Sequence, residues 1–105
     1  MQRLTEFEKD HIAEFVERLY NKKYRTLPRI KYDKLGVQIS LHLFPVYVII
    51  DIYKKNNLYT IRYVKFFNAM QEEALEEFYQ FDDIDEVYEF IRYVVLTMKP
   101  PKIDY

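Results

Sequence analysis

The fold of this chain is decided by residues 46–67, VYVIIDIYKKNNLYTIRYVKFF. Two runs rich in β-branched and aromatic residues, 46–53 and 58–67, lie on either side of the pair Asn56 and Asn57. Such runs are typical of strands, and Asn tolerates the positive φ values of a tight hairpin turn. We therefore predict an antiparallel hairpin in which residue 55 pairs with residue 58.

This turn also determines which side chains share a face of the hairpin. With residues 55 and 58 paired, Asp51 lies opposite Arg62 and forms a favourable cross-strand pair. Successive strand residues point to opposite faces. We expect one face in the core, and it carries Val46, Val48, Ile50, Ile52, Ile61 and Tyr63. The other face carries Tyr47, Ile49, Asp51, Tyr53, Arg62, Val64 and Phe66.

On the N-terminal side, the pattern predicts a strand and a helix. Four apolar residues alternate with polar ones over 37–43, which is typical of a strand with one wet face. Thr5 and Glu8 form a capping-box pattern at the start of a predicted helix over 6–24. One face of that helix carries the apolar residues Ile12, Phe15, Val16, Leu19 and Tyr20. Residues 25–34 then read as a basic connector.

On the C-terminal side, residues 71–81 fit either a helix or a strand, and we favour a strand ending at Phe81. Asp83 and Glu86 predict the cap of a final helix. Its apolar face carries Ile84, Val87, Tyr88, Ile91, Val94, Val95 and Met98.

These elements predict an α+β fold: an N-terminal helix, an antiparallel sheet of three to four strands, and a C-terminal helix packed on the sheet. A length of 105 residues predicts one compact domain over 1–105, with a short mobile tail from about residue 100. The N-terminus has no signal-peptide pattern, and no apolar run is long enough to span a membrane. We therefore expect a cytoplasmic protein without a membrane partner.

Groups that carry out catalysis are scarce in this sequence. It has no Cys, one Gly, one Ser and two His residues without metal-ligand spacing. Asp51 is the best candidate for a perturbed carboxylate, but its pairing with Arg62 explains it more simply. The acids Glu72, Glu73, Glu76 and Glu77 are better explained as a solvated face than as a cation site. We expect a protein that is not an enzyme and has no catalytic residue, cofactor or metal.

The charge of the chain is divided by position. Residues 18–70 hold eleven Lys or Arg and two acids, whereas residues 71–105 hold three Lys or Arg and ten acids. Basic residues mixed with tyrosines suit binding to a nucleic acid, because cations neutralise phosphates and rings stack on bases. This alternative function places nucleic acid at Arg18, Lys22, Lys23, Arg25, Arg29, Lys31 and Lys34, with Tyr20, Tyr24 and Tyr32 between them. A total charge of −1 counts against it.

The apolar residues on the second hairpin face carry the favoured hypothesis. Either the N-terminal helix covers this face within the same chain, or a second copy or another protein covers it. We expect a non-enzymatic interaction module that forms a homodimer and binds another protein. The predicted interface consists of Tyr47, Ile49, Tyr53, Val64 and Phe66. The composition, rich in charge and almost without Gly, favours a thermophile, and a small chain of this kind is typical of viruses and other mobile elements.

Overall fold

The computed structural model describes residues 3–43, 46–67 and 72–97. In chain order, the described elements are a helix, five strands and a second helix: α1 (Glu6–Tyr24), β1 (Arg29–Tyr32), β2 (Gly36–Leu43), β3 (Val46–Lys55), β4 (Leu58–Phe67), β5 (Glu72–Phe81) and α2 (Ile84–Thr97). The strands form one sheet in the order β1-β2-β3-β4-β5, and every neighbouring pair is antiparallel. The predicted α+β class is confirmed, with five strands instead of three to four.

The central hairpin has the predicted turn and register. Asn56 and Asn57 have φ values of 54° and 64°, in the left-handed region that Asn tolerates. Lys55 pairs with Leu58, and Asp51 pairs with Arg62. The inward face of the hairpin is buried as predicted, and its fully buried residues are Val48, Ile50, Ile52, Ile61 and Tyr63.

Strand β1 corrects the prediction of a connector over 25–34. The side chain of Asp33 closes a tight turn, because its Oδ1 accepts hydrogen bonds from the backbone N–H groups of Leu35 (2.9 Å) and Gly36 (2.8 Å). Gly36 is required there, since an added Cβ would overlap the carbonyl oxygen of Ile52 on β3. This turn lays residues 29–32 against β2, where they form a short edge strand.

Residues 72–81 form strand β5, so the favoured strand ending at Phe81 is confirmed. Helix α2 follows at once, and Asp83 Oδ1 accepts a hydrogen bond from Asp85 N–H at 2.9 Å. The apolar face of α2 also includes Phe90, which the sequence prediction omitted and which packs its ring 4.7 Å from that of Tyr79. The predicted Met98 and the tail from about residue 100 lie outside the described residues.

Helix α1 begins with the predicted capping box, in which Thr5 and Glu8 exchange two hydrogen bonds of 3.0 Å. It ends at Arg25, whose φ of 59° stops the helix. The buried Lys9 was not predicted; its Nζ donates to the carbonyl oxygen of Asp33 at 2.7 Å. This bond ties α1 to the turn between β1 and β2.

Both helices pack on the same face of the sheet and form one core with it. Two tyrosine hydroxyls join the helices to the sheet: Tyr20 donates to His42 O (3.2 Å) and Tyr59 to Glu8 Oε2 (2.5 Å). A third, that of Tyr24, joins the two helices by donating to Val95 O (2.7 Å). Because α1 belongs to this layer, it does not cover the opposite face of the sheet. No helix in the described part of the chain is long and apolar enough to cross a membrane.

Candidate functional site

The face of the sheet that points away from both helices, here called the outer face, is the candidate site. Pairing across the sheet places residues from all five strands on it: Arg29 and Lys31 of β1, Gln38, Ser40 and His42 of β2, Tyr47, Ile49, Asp51 and Tyr53 of β3, Thr60, Arg62, Val64 and Phe66 of β4, and Glu76, Phe78 and Gln80 of β5. All five predicted interface residues are therefore on one surface.

The exposure of these five residues is unequal. Tyr47, Ile49, Tyr53 and Phe66 are half-buried, so each still presents part of its apolar surface to water. Val64 is only 1% exposed although it lies outside the core cluster, between its register neighbours Ile49 and Glu76. Val64 thus contributes shape to this face and little exposed area.

A chain of polar side chains crosses the middle of the outer face. Gln38 Nε2 donates to Asp51 Oδ1 at 2.8 Å, and Arg62 Nη1 donates to Asp51 Oδ2 at 3.1 Å. Arg62 also donates through Nε to Glu76 Oε2 at 2.8 Å. The predicted pair of Asp51 and Arg62 is confirmed, and the structure extends it to two further strands, β2 through Gln38 and β5 through Glu76.

The two carboxylates fix the charge of Arg62. Partial burial by itself would lower the pKa of the guanidinium, but the hydrogen bonds to Asp51 and Glu76 outweigh burial and raise that pKa above its ordinary value. Asp51 is therefore an ion-pair partner in this structure. A permanently charged Arg62 orients both acids, which gives the outer face a rigid polar centre.

Aromatic rings lie at one end of the outer face. The rings of His42 and Tyr47 meet edge to face at 5.5 Å, and the ring of Phe66 lies 5.9 Å from that of Tyr47. On the edge strand β5, Phe78 is 55% exposed and pairs with Arg62. The sequence prediction missed Phe78, because its place here depends on the pairing of β5 with β4.

Charge changes sign across this face from one edge of the sheet to the other. Arg29 and Lys31 are exposed on the edge strand β1, whereas Glu76 is exposed on β5 at the opposite edge. One row of paired residues spans the whole sheet: Arg29, Ser40, Ile49, Val64 and Glu76. Ile49 occupies the centre of that row.

The predicted nucleic-acid residues are distributed over several elements, and two of them bind protein groups. Arg18 pairs with Glu14 at 2.5 Å on α1, and Lys23 Nζ donates to the carbonyl oxygen of Leu96 at the end of α2 (2.5 Å). The other five basic residues are exposed and lie in three parts of the chain: Lys22 and Arg25 at the end of α1, Arg29 and Lys31 on β1, and Lys34 in the turn before β2.

The tyrosines of this basic stretch are engaged elsewhere. Tyr20 is buried in the core, and the hydroxyls of Tyr20 and Tyr24 bind backbone carbonyls. Tyr32 remains partly exposed, with its hydroxyl donating to Asp10 Oδ1 at 2.8 Å. That bond and burial raise the pKa of Tyr32 to about 12.

Acidic side chains in the described ranges do not gather into a metal-binding group of three or more with histidines. Of the acids predicted to form a solvated face, Glu76 binds Arg62 and Glu77 accepts a hydrogen bond from the hydroxyl of Tyr79. The side chains of Glu72 and Glu73 lie outside the description.

The chain matches no protein-family model, no curated protein and no solved structure. The geometry of the outer face is therefore the basis of the functional argument.

Proposed function

We propose that this protein is a non-enzymatic interaction module that forms a homodimer through the outer face. The observation that carries the proposal is a broad sheet face, bearing Tyr47, Ile49, Tyr53, Phe66 and Phe78, on which neither helix packs. A soluble monomer seldom leaves a large contiguous apolar patch in water. A second copy of the chain is the simplest cover, because a two-fold interface uses the same patch twice.

The size of this face supports the proposal. The five strands have 4, 8, 10, 10 and 10 residues; at about 3.4 Å per residue and about 4.8 Å between strands they give a face of about 700 Å². A stable interface of standard size buries about 800 Å² on each partner. The outer face is thus close to the area that a specific dimer needs, without any contribution from the helices.

Charge complementarity selects one arrangement of the two copies. A two-fold axis parallel to the strands and passing near Ile49 places β1 of one protomer against β5 of its partner. Arg29 then meets the partner's Glu76, so opposite charges face each other at both ends of the central row. A two-fold axis perpendicular to the strands would set β1 against β1, which brings like charges together.

The polar centre of the outer face is compatible with burial in such an interface. Asp51, Arg62 and Glu76 already satisfy each other within one protomer. Burial of a charge is costly when that charge loses its partner, and here each charge keeps its partner on dimerisation. The chain of ion pairs would also fix how the two sheets align, because a shifted alignment would leave these groups facing apolar side chains.

The test is the mass in solution of the full chain and of two variants, measured by light scattering. The wild type is expected at twice 13.0 kDa at about 100 µM, since an interface of standard size holds well below that concentration. Ile49→Asp should give a folded monomer. Leu27→Asp is the matched control, since Leu27 is exposed outside the outer face, and it should remain dimeric.

A clean wild-type monomer at that concentration would contradict the proposal. A dimer that Ile49→Asp leaves intact would place the interface elsewhere. Circular dichroism separates loss of the dimer from loss of the fold, because an unfolded Ile49→Asp variant would mean that the residue belongs to the core.

The nucleic-acid alternative has weaker support than dimerisation. Its cations lie on different elements, two of them bind protein groups, and two of its three tyrosines are engaged in the fold. The origin in a virus or other mobile element of a thermophile remains a prediction from composition. A salt-sensitive shift of labelled RNA or DNA, lost when Lys22, Lys23 and Arg25 are neutralised, would favour the alternative.

A further inference from the structure

A groove runs along the flank of α2 that faces away from α1, next to the free edge of the sheet. It encloses about 540 Å³, and its apolar floor consists of Phe81, Phe90, Tyr93 and Leu96. Tyr93 is 41% exposed and Leu96 is 36% exposed, so the groove leaves large apolar groups in contact with water. This surface is separate from the outer face, because it lies on the helix side of the sheet.

Strand β5 forms the sheet edge beside this groove. In the described part of the chain it pairs only with β4, so its other side presents backbone N–H and C=O groups that no strand satisfies. Ten residues make it a long edge, from Glu72 to Phe81. A long open edge is a template for pairing with another extended chain.

The charge around this edge determines which chain fits. Asp85, Glu86 and Glu89 line the groove, and among the described residues Arg92 is its only basic lining residue. Glu77 adds a carboxylate on the strand itself, whereas Glu76 is already paired with Arg62 on the outer face. Two β5 strands from two copies would oppose acid with acid, which disfavours edge-to-edge pairing of this protein with itself.

We propose that β5 and the α2 groove bind an extended segment of another protein, in which every second residue is alternately apolar and basic (Lys or Arg). The segment adds to the sheet as a sixth strand, with main-chain hydrogen bonds to β5. Every second side chain points to the helix side of the sheet; there the apolar ones pack on Phe81, Phe90 and Tyr93, and the basic ones meet Glu86 and Glu89 on the rim. This inference does not depend on the dimer, because none of the residues that line the groove belongs to the outer face.

A synthetic peptide provides the probe: ten residues with Thr at the odd positions and Val and Lys in turn at the even positions, acetylated and amidated, added to the full chain labelled with ¹⁵N. We expect saturable binding at micromolar concentration, with amide shifts on β5 and along α2 from Glu86 to Leu96. Raising the salt concentration from about 0.05 M to about 0.5 M should weaken binding, because part of the attraction is between exposed charges.

Two control peptides test the two halves of the inference. Replacing the central Val and one neighbouring Thr by proline removes donors from the added strand, and binding should fall at least about tenfold. Replacing every Lys by Glu should abolish binding, because the groove and the strand are acidic.

Variants of the protein locate the site. Glu86→Gln with Glu89→Gln should weaken binding several-fold without changing the fold, since both side chains are exposed. The matched control is Glu14→Gln with Glu17→Gln on α1, which removes the same charge outside the groove and should leave binding unchanged. Tyr93→Ser should also weaken binding, through loss of the apolar floor.

Three results would overturn the inference. The Lys-Val peptide does not bind at about 1 mM; the Glu-Val peptide binds equally well; or the amide shifts fall on the outer face and leave β5 unchanged. Equal weakening by the α1 control pair would likewise show that the attraction is to total charge and not to this groove.

Discussion

The two faces of this sheet come from the same strands but differ in burial. Along β3, Ile50 and Ile52 lie under the helices and are fully buried, whereas Tyr47 and Ile49 remain half-exposed on the outer face. Residue type is therefore a poor guide to burial here, because isoleucines occupy both sides. The difference is that one face has its cover within the chain, and we propose that the other obtains it from a second copy.

The largest expected difference between the two faces is in unfolding free energy when neighbouring isoleucines, one on each face, are truncated. Ile50→Ala should cost about 2 to 5 kcal/mol of unfolding free energy, because it opens a cavity in a packed core. Ile49→Ala should cost about 1 kcal/mol or less when measured at low protein concentration, where the protein is a monomer. Urea denaturation gives both values. Equal costs would mean that the outer face is also packed within the chain.

Removing Arg62 tests the polar centre of the outer face. Arg62→Leu leaves Asp51 and Glu76 without their shared cation and should cost about 1 kcal/mol at neutral pH, a modest value because the side chain is 36% exposed. The loss should shrink in acid, where protonation removes the unpaired charges. Arg18→Leu, which breaks a pair at the surface of α1, is the control and should have a smaller effect. A loss that is unchanged in acid would contradict the electrostatic account.

Removing a tyrosine hydroxyl from the core face should not destabilise the protein, in contrast to the changes above. The hydroxyl of Tyr63 is buried and has no hydrogen-bond partner among the described residues. Tyr63→Phe should therefore be neutral or stabilise the fold by up to about 1 kcal/mol, since it removes an unsatisfied polar group. Tyr59→Phe is the comparison and should destabilise, because the Tyr59 hydroxyl binds Glu8. Destabilisation by Tyr63→Phe in thermal melts would show that its hydroxyl has a partner.

The bond between Tyr59 and Glu8 makes stability depend on pH at both ends of the scale. Burial by itself raises the pKa of Glu8, but hydrogen bonds from Thr5 and Tyr59 and the charge of Lys54 lower it below its ordinary value of 4.5. The contribution of Glu8 is thus complete above pH 4.5 and is lost as the pH falls below that value. Glu8→Gln should flatten the acid limb of the stability curve.

At alkaline pH the dependence is reversed, because the contribution of Tyr59 to stability is lost as the pH rises. Burial and the bond to Glu8 raise the pKa of Tyr59 to about 12 from its ordinary value of 10.0. Its contribution is complete below pH 10 and is lost as the pH rises from 10 toward 12. Tyr59→Phe should reduce this loss in a titration followed by circular dichroism, and an unchanged slope would contradict the assignment.

Much of this fold could be predicted from local signals. The turn at Asn56 and Asn57, the register of the hairpin and the capping box at Thr5 depend on residues close in sequence, and each has a distinct pattern. Strand β1 could not be predicted, because the alternation of Ile30 and Tyr32 with basic residues covers only four positions and the pairing with β2 depends on the Asp33 turn.

The candidate site was predictable only in part. The hairpin register places Ile49, Asp51 and Arg62 together, so the core of the outer face follows from the sequence. Its extension to Gln38, Glu76 and Phe78 depends on the pairing of β2 and β5, which no short-range pattern specifies. Which face the helices cover is likewise a property of tertiary packing, and the sequence left that choice open.

The most direct test of the central claim uses a single introduced thiol, since the chain has no cysteine. In the proposed dimer, Ile49 lies near the two-fold axis and meets the partner's Ile49. Ile49→Cys should therefore form a disulfide-linked dimer rapidly and almost completely under mild oxidation, whereas Glu14→Cys on the exposed side of α1 should link only slowly by collision. Equal, slow linking of the two variants would contradict dimerisation through the outer face.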